Sequence, residues 1–237
     1  MLKKNFMLFG LLFLIACPNQ NSNIKTNTSF SDNLTTYLSF NNSKVENEAL
    51  NNIKILVEGT PKFTKDKNGK ENSAYELTSN NNFIQVEQDI NPNKFNQLTM
   101  MAWVKVSDFN PESDIKTIIS NDDGDFDRTL VLDYRGENKG WSAFAGNCEV
   151  FGATLPNLNK WEFIAVSYDQ DNKIVDLYIN DKKFSKTNCS IGESIHKFFR
   201  IGSNPSYNQP LIGAIDEVRI YNKKLSESEI NAIYKSY

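Results

Sequence analysis

The sequence predicts an all-β chain, a two-sheet antiparallel sandwich closed by one short C-terminal helix. Three observations lead there. Apolar residues alternate with polar or aromatic ones: Leu98, Met100, Ala102, Val104 and Val106 oppose Thr99, Met101, Trp103 and Lys105, and Val175, Leu177 and Ile179 oppose Ile174, Asp176 and Tyr178. A period of two with one apolar face suits strands in two packed layers. Turn residues punctuate the runs at Asp66 to Gly69, Pro92-Asn93, Asp122 to Gly124, Pro156-Asn157, Asp169 to Asn172, Asn180-Asp181 and Asn204-Pro205, which leaves room for about twelve strands. Finally, Ser226-x-x-Glu229 is a capping box, followed by Ile230, Ile233 and Tyr234 at helical spacing. A chain of 237 residues suits one large β domain.

The first residues read differently. Lys3 and Lys4 precede an apolar run from Phe6 to Ile15, ending Leu14-Ile15-Ala16-Cys17. A basic start, a short apolar run and a small residue before the cut describe a secretory signal over residues 1–16. The run is too short to span a bilayer, which takes about 20 apolar residues. The segment resembles a bacterial lipobox, in which the Cys17 thiol takes a diacylglyceryl group; the alternative is an ordinary cleaved signal with a chance cysteine. Acyl chains on Cys17 would tether the protein to a membrane without spanning it. Residues 17–33 are rich in Asn, Ser and Thr, a composition that buries too little to fold and reads as a flexible tether. Extended, it reaches about 50 Å. The folded domain is then expected over residues 34–237, on a bacterial envelope, at the outer membrane or cell surface.

Removing residues 1–16 takes away two lysines and no acid, so the net charge moves from −3 to −5. No basic block remains, and attraction to nucleic acid is not expected. With Cys17 assigned to lipid, Cys148 and Cys189 are an even pair in an exported chain and point to a disulfide, the alternative being two buried free thiols. There is no CxxC, and His196 is the only histidine, which excludes the usual zinc sites.

Several blocks carry a family resemblance in order: Tyr37 to Asn41; Gly69 to Leu77 leading to Phe83-Ile84-Gln85-Val86; Leu98 to Lys105; Lys160 to Asp169; Leu177 to Asp181; Phe199 to Gly202; and the last strand Gly213-Ala214-Ile215-Asp216-Glu217-Val218-Arg219-Ile220-Tyr221 with its helix. Over residues 35–237 the chain resembles the laminin-G-like, concanavalin A-like lectin/glucanase family. The resemblance implies a jellyroll sandwich and a ligand-binding module, and places Trp103 and Trp161 in the core. It also implies a structural calcium ion at Asp216, with Asn41 and Glu46 in the early segment that supplies further oxygens. Without a metal, Asp216 would pair with Arg219, a lysine or backbone amides. The family's F-D-G departs here to Leu77-Thr78-Ser79, and the glycine of its L-Y-V-N-G is Asp181.

For ligand binding the densest carboxylate cluster is Asp122, Asp123, Asp125 and Asp127 around Gly124, in a loop able to wrap calcium or a calcium-bridged sugar, or to stand as a solvated acidic turn. It lacks the EF-hand spacing. Sugars stack their C–H faces on rings, so Tyr134 and Trp141 are candidate platforms, with Phe151 and Tyr207 on loops as others; the first alternative for Trp141 is a place in the core. The E-x-D-x-x-E of glucanases of this fold is missing, as is a G-x-S-x-G elbow for His196, so the chain is not expected to be an enzyme. The expected function is a monomeric, membrane-anchored, non-catalytic module binding a glycan or a host or envelope protein. An assembly subunit of the envelope is the second reading, and a glycan hydrolase the third.

Overall fold

The computed structural model describes residues 30–49, 51–79 and 81–237. The signal segment, Cys17 and most of the tether lie outside the described residues. Fifteen strands follow in order: β1 (Leu34–Leu38), β2 (Ile55–Glu58), β3 (Phe63–Thr64), β4 (Ala74–Leu77), β5 (Phe83–Val86), β6 (Gln97–Val106), β7 (Ile115–Ser120), β8 (Thr129–Asp133), β9 (Gly140–Phe144), β10 (Val150–Thr154), β11 (Trp161–Asp169), β12 (Ile174–Ile179), β13 (Lys182–Thr187), β14 (Phe199–Ile201) and β15 (Gly213–Tyr221); helix α1 (Glu227–Lys235) ends the chain. They form two antiparallel sheets. One runs β13-β12-β11-β6-β15-β4-β3, with β1 pairing the second half of β15; the other runs β10-β9-β8-β7-β14-β5-β2. Among the described residues there are fifteen strands where about twelve are expected; β2 and β3 are short and β13 is polar, so each carries a weak sequence signal. β13, with its Lys182, Lys183 and Lys186, is an edge strand, where charge discourages pairing with another chain.

The alternation along β6 sorts its side chains into two cores. Leu98, Met100, Ala102, Val104 and Val106 point between the sheets, where they pack with Ile119, Leu130, Leu132, Trp141, Ile164 and Ile215. Met101 and Trp103 point outward, into a second cluster with Phe163, Tyr178, Tyr221, Ile230 and Ile233. Helix α1 therefore covers the outer face of the eight-stranded sheet. Its start is fixed by the capping box: the Ser226 hydroxyl accepts from the Glu229 amide, and the Glu229 carboxylate accepts from the Ser226 amide. Trp103 is 7% exposed and stacks on Tyr234, so its core role lies under the helix, with half-buried Trp161 packed against the same cluster. Cys148 and Cys189 are joined by a disulfide, Cα atoms 5.4 Å apart, which closes a 41-residue separation and is worth about 2–4 kcal/mol.

Arg128 ties the layers together. Its side chain is fully buried, its guanidinium donates to the carbonyls of Ile90 and Phe95, and it lies 5.7 Å from the Tyr168 ring centroid. Among the described residues no helix is long and apolar enough to cross a membrane.

Candidate functional site

The seven-stranded sheet turns a second face outward. On β8 and β9, Leu130, Leu132, Trp141 and Ala143 belong to the inter-sheet core, so Val131, Ser142 and Phe144 point the other way. Three segments rise over this outer face. Gly202 donates to the Ile118 carbonyl and the Thr117 amide donates to Gln209; two adjacent β7 positions thus hold residues seven apart, and the stretch between them loops out of the sheet. The β7–β8 loop rises beside it. From the far end of β8, Arg135 folds back until its guanidinium lies 5.5 Å from the Phe126 ring and 5.6 Å from the Phe144 ring.

Between them is a cavity of about 270 Å³, lined by Asp122, Gly124, Phe126, Arg135, Phe144, Tyr207 and Gln209. Phe126 and Phe144 meet edge to face at 5.4 Å, and Tyr207 is 49% exposed at the rim. Gly124 has φ +130°, and a Cβ there would stand 2.6 Å from the Tyr207 hydroxyl oxygen, so only glycine lets the tyrosine close the wall. Arg135 is clamped by Asp133 through Nη2 to Oδ2 at 2.7 Å and Nε to Oδ1 at 3.1 Å. Gln209 Oε1 accepts from the Thr117 hydroxyl. Arg135 Nη1, Gln209 Nε2 and the Tyr207 hydroxyl donate to no protein acceptor among the described residues. Uncommitted donors, a carboxylate and aromatic walls suit a small oxygen-rich ligand with an apolar face.

The acidic loop supplies one wall, but its carboxylates mostly hold the loop itself. Asp122 accepts from the Asp127 amide and from Asn204 Nδ2, each at 3.1 Å. Asp127 Oδ2 accepts from the Asp123 amide, and Asp123 Oδ2 from the Ile195 amide at 2.7 Å. Asp127 is 1% exposed, and burial, with Asp123 and Asp122 beside it, pushes its carboxyl up to about 7. Asp125 is exposed. Of the candidate ligand residues, the structure brings Asp122 and Tyr207 into one cavity. Half-buried Tyr134 does not line it. Trp141 is corrected: its ring is fully buried between the sheets and Nε1 donates to Glu162 Oε2 at 3.1 Å, so it presents no platform. Phe151 packs against the same core. Arg135, Phe126, Phe144 and Gln209 carried no sequence signal, because they meet only through tertiary packing.

His196 Nε2 lies 2.8 Å from the Ser206 hydroxyl. Among the described residues no carboxylate hydrogen-bonds its other ring nitrogen, so the pair lacks the third member that orients a catalytic histidine.

The residues anticipated for calcium sit around a bulge in β15. Asp216 faces Trp103 and Arg219 faces Met101 across the ladder, so β15 carries one extra residue there, and Glu217 takes φ +55°. Arg219 Nη2 reaches Glu217 Oε2 at 2.7 Å, and the hydroxyls of Tyr37 and Tyr237 close around this pair. Asp216, 4% exposed, accepts from the Glu217 amide at 2.8 Å; burial, reinforced by the Glu217 charge, pushes it up to about 8. Lys67 on the β3–β4 turn, its ammonium 4.5 Å from the Trp103 ring centroid and donating to Asn68, also interacts electrostatically with Asp216. Asn41 Oδ1 accepts from Lys70, and exposed Glu46 pairs with Lys44. Calcium takes six to eight oxygens, whereas each of these three side chains has a lysine or an amide of this chain beside it. Among the described residues no three acidic, histidine or cysteine groups gather as a metal set. Each of the three is thus engaged within the chain, in contacts separate from the others. A thermal melt in a few millimolar calcium is accordingly expected to match one in chelator; a midpoint raised by calcium and lost with Asp216→Asn would restore the metal reading.

Against known proteins, the family model described as the concanavalin A-like lectin/glucanases superfamily matches residues 78–231. The chain is 25% identical over 236 residues to Paraclostridial mosquitocidal protein 1 of Paraclostridium bifermentans, covering 87% of this chain and 18% of that protein. Among solved structures, the binding domain of that mosquitocidal protein superposes with a TM-score of 0.67 at 21% identity, over 87% of this chain and 53% of the other. The binding domain of botulinum neurotoxin DC, solved in complex with SialylT, gives 0.63 at 14% identity over 87% and 51%. The same neurotoxin's binding domain with rat synaptotagmin II gives 0.64 at 14% over 88% and 52%. The chain thus spans about half of these binding domains, and the likeness is one of fold. The two antiparallel sheets, the closing helix and the matched family model agree: this chain belongs to the concanavalin A-like lectin/glucanases superfamily.

Proposed function

We propose that this chain is a non-catalytic binding module that recognises a glycan in the cavity on the outer face of its seven-stranded sheet, and that Cys17 tethers it by lipid to a bacterial envelope membrane. The observation that carries the glycan reading is the cavity: three uncommitted donors, the Asp122 carboxylate and the Phe126, Phe144 and Tyr207 rings around about 270 Å³. That volume lies at the small end of ligand sites and suits one or two sugar rings rather than a protein segment. Proteins of the same fold lend support, since they are binding domains, one of them solved in complex with SialylT. Those domains are about 1.7 times this length, so the ligand is argued from the cavity.

Glycan-array binding by the domain from residue 30 onward tests the reading. Tyr207→Ala is expected to weaken binding at least about tenfold, a loss of about 1.4 kcal/mol, with the melting midpoint unchanged because the ring is half exposed. An array silent for the wild-type domain would remove the glycan reading. Mass spectrometry of the membrane-extracted protein tests the tether, with a mature N-terminus at acylated Cys17 expected.

A further inference from the structure

The cavity carries a charge pattern that selects among sugars. We infer that it accepts an uncharged sugar unit and turns away sugars bearing carboxylate or sulfate groups; this rests on the glycan reading above and narrows it.

The argument is an inventory of cations. Arg135 is the one cationic side chain lining the cavity, and its charge is already met. Asp133, its side chain fully buried, receives Nε at 3.1 and 3.2 Å and Nη2 at 2.7 Å. Only Nη1 is left, as a hydrogen-bond donor on an ion pair that is neutral overall. The neighbouring cations are turned elsewhere. Arg128 is buried and donates to the carbonyls of Ile90 and Phe95. Arg200 lies over the Phe83 ring at 4.2 Å and donates to Gln85 and the Pro205 carbonyl. His196 is bonded to Ser206, and burial pushes its ring below the usual histidine range, which keeps it neutral near pH 7.

The acids outnumber Arg135, the one cation on the lining. Asp122 lines the cavity, and its hydrogen-bond partners are neutral, the Asp127 amide and the Asn204 side chain. Asp123 is held by the Ile195 amide, also neutral, and exposed Asp125 stands on the same turn. A ligand entering the cavity therefore meets more acid than base: Asp122 on its wall, which shares Arg135 with Asp133, and further acids at the mouth. A sialic acid or sulfated sugar would bring a like charge against them, with no free cation to receive it. Discrimination of this kind comes from the repulsive element as much as from the attractive one. An uncharged sugar pays none of that cost: its hydroxyls can accept from Arg135 Nη1, Gln209 Nε2 and Tyr207, donate to Asp122, and lay a C–H face on the aromatic wall.

Matched pairs test this: uncharged oligosaccharides on the array against the same cores capped with sialic acid or sulfate, each hit titrated at low and at physiological salt. The capped forms are expected to bind at least about tenfold more weakly, with the gap narrowing as salt screens the repulsion. Asp125→Asn, an exposed substitution outside the cavity lining, should narrow it as well. A capped form that binds the wild-type domain as tightly as its uncharged core, and loses that binding in Tyr207→Ala, would overturn the selectivity while leaving the glycan reading standing. Silence from every sugar would remove both.

Discussion

Trp141→Ala is expected to destabilise the domain by about 4 kcal/mol, with sugar recognition impaired only through that loss. The ring is the largest fully buried side chain and packs between the sheets. Truncating a buried tryptophan costs about 3–5 kcal/mol, from lost transfer energy and from the cavity left behind. A second effect adds to it. Trp141 Nε1 donates to Glu162 Oε2, whose carboxylate is 4% exposed and otherwise held by the Asn157 amide and side chain at 2.8 Å each. The alanine variant leaves that carboxylate one donor short. At about 2–4 °C per kcal/mol for a domain of this size, the midpoint should fall by roughly 10 °C. Trp141→Phe separates the two contributions: it keeps most of the packing and loses the hydrogen bond, for a cost of about 1–2 kcal/mol. A Trp141→Ala protein that melts near the wild-type temperature but no longer binds sugar would put the ring back at the ligand.

Trp141 also shows where the sequence stops being informative. Its neighbours Gly140 and Ser142 leave the facing of a short run undecided, since one step of register moves a side chain from core to surface. β6 and β12 were legible because ten and six residues of alternation allow one facing only, and α1 because its capping box is a local hydrogen-bond pattern. The acidic loop was visible as composition, yet its chemistry was not: that Asp122 and Asp127 bond the loop's own amides depends on how the turn closes. Arg135 is the clearest case of illegibility. It lies at the far end of β8 from the acidic loop and enters the cavity only because its side chain runs back along the sheet to Phe126 and Phe144. Likewise, the resemblance marked Asp216 through its place on β15, while Lys67, which interacts with it electrostatically, comes from the β3–β4 turn.

The buried acids make the domain more stable at mildly acidic than at mildly alkaline pH. Asp216 is raised to about 8 and Asp127 to about 7, burial being the first cause of each. Unfolded, both titrate near 3.9. Between those limits the folded chain holds protons that the unfolded chain has released, so stability is fully present below about pH 4 and falls as pH rises through 7 and then 8. The limiting slope is about 1.4 kcal/mol per pH unit for each proton held. Four groups work the other way. Asp114 and Asp176 are lowered despite partial burial, by hydrogen bonds and nearby lysines, so their contribution is lost as pH falls below about 4. Glu229 is lowered to about 2, first by Lys223 and then by its cap on Ser226, so its contribution is lost as pH falls below about 4.5; it is partly exposed and worth a few tenths of a kcal/mol. His196, lowered by burial, favours folding as pH rises toward 6.5, and its ring too is largely solvated. Asp216 and Asp127 dominate between pH 5 and 8, so the melting midpoint should fall steadily across that range. Asp216→Asn keeps an acceptor for the Glu217 amide without a charge beside Glu217. It should remove the part of the decline between pH 7 and 8, making the variant the more stable protein at pH 8. Asp127→Asn should flatten the part below pH 7. The two sites lie in opposite sheets, so the changes should add in the double variant. A wild-type midpoint that is level or rises from pH 5 to 8 would mean that both carboxylates ionise at little cost, through water or a cation reaching them.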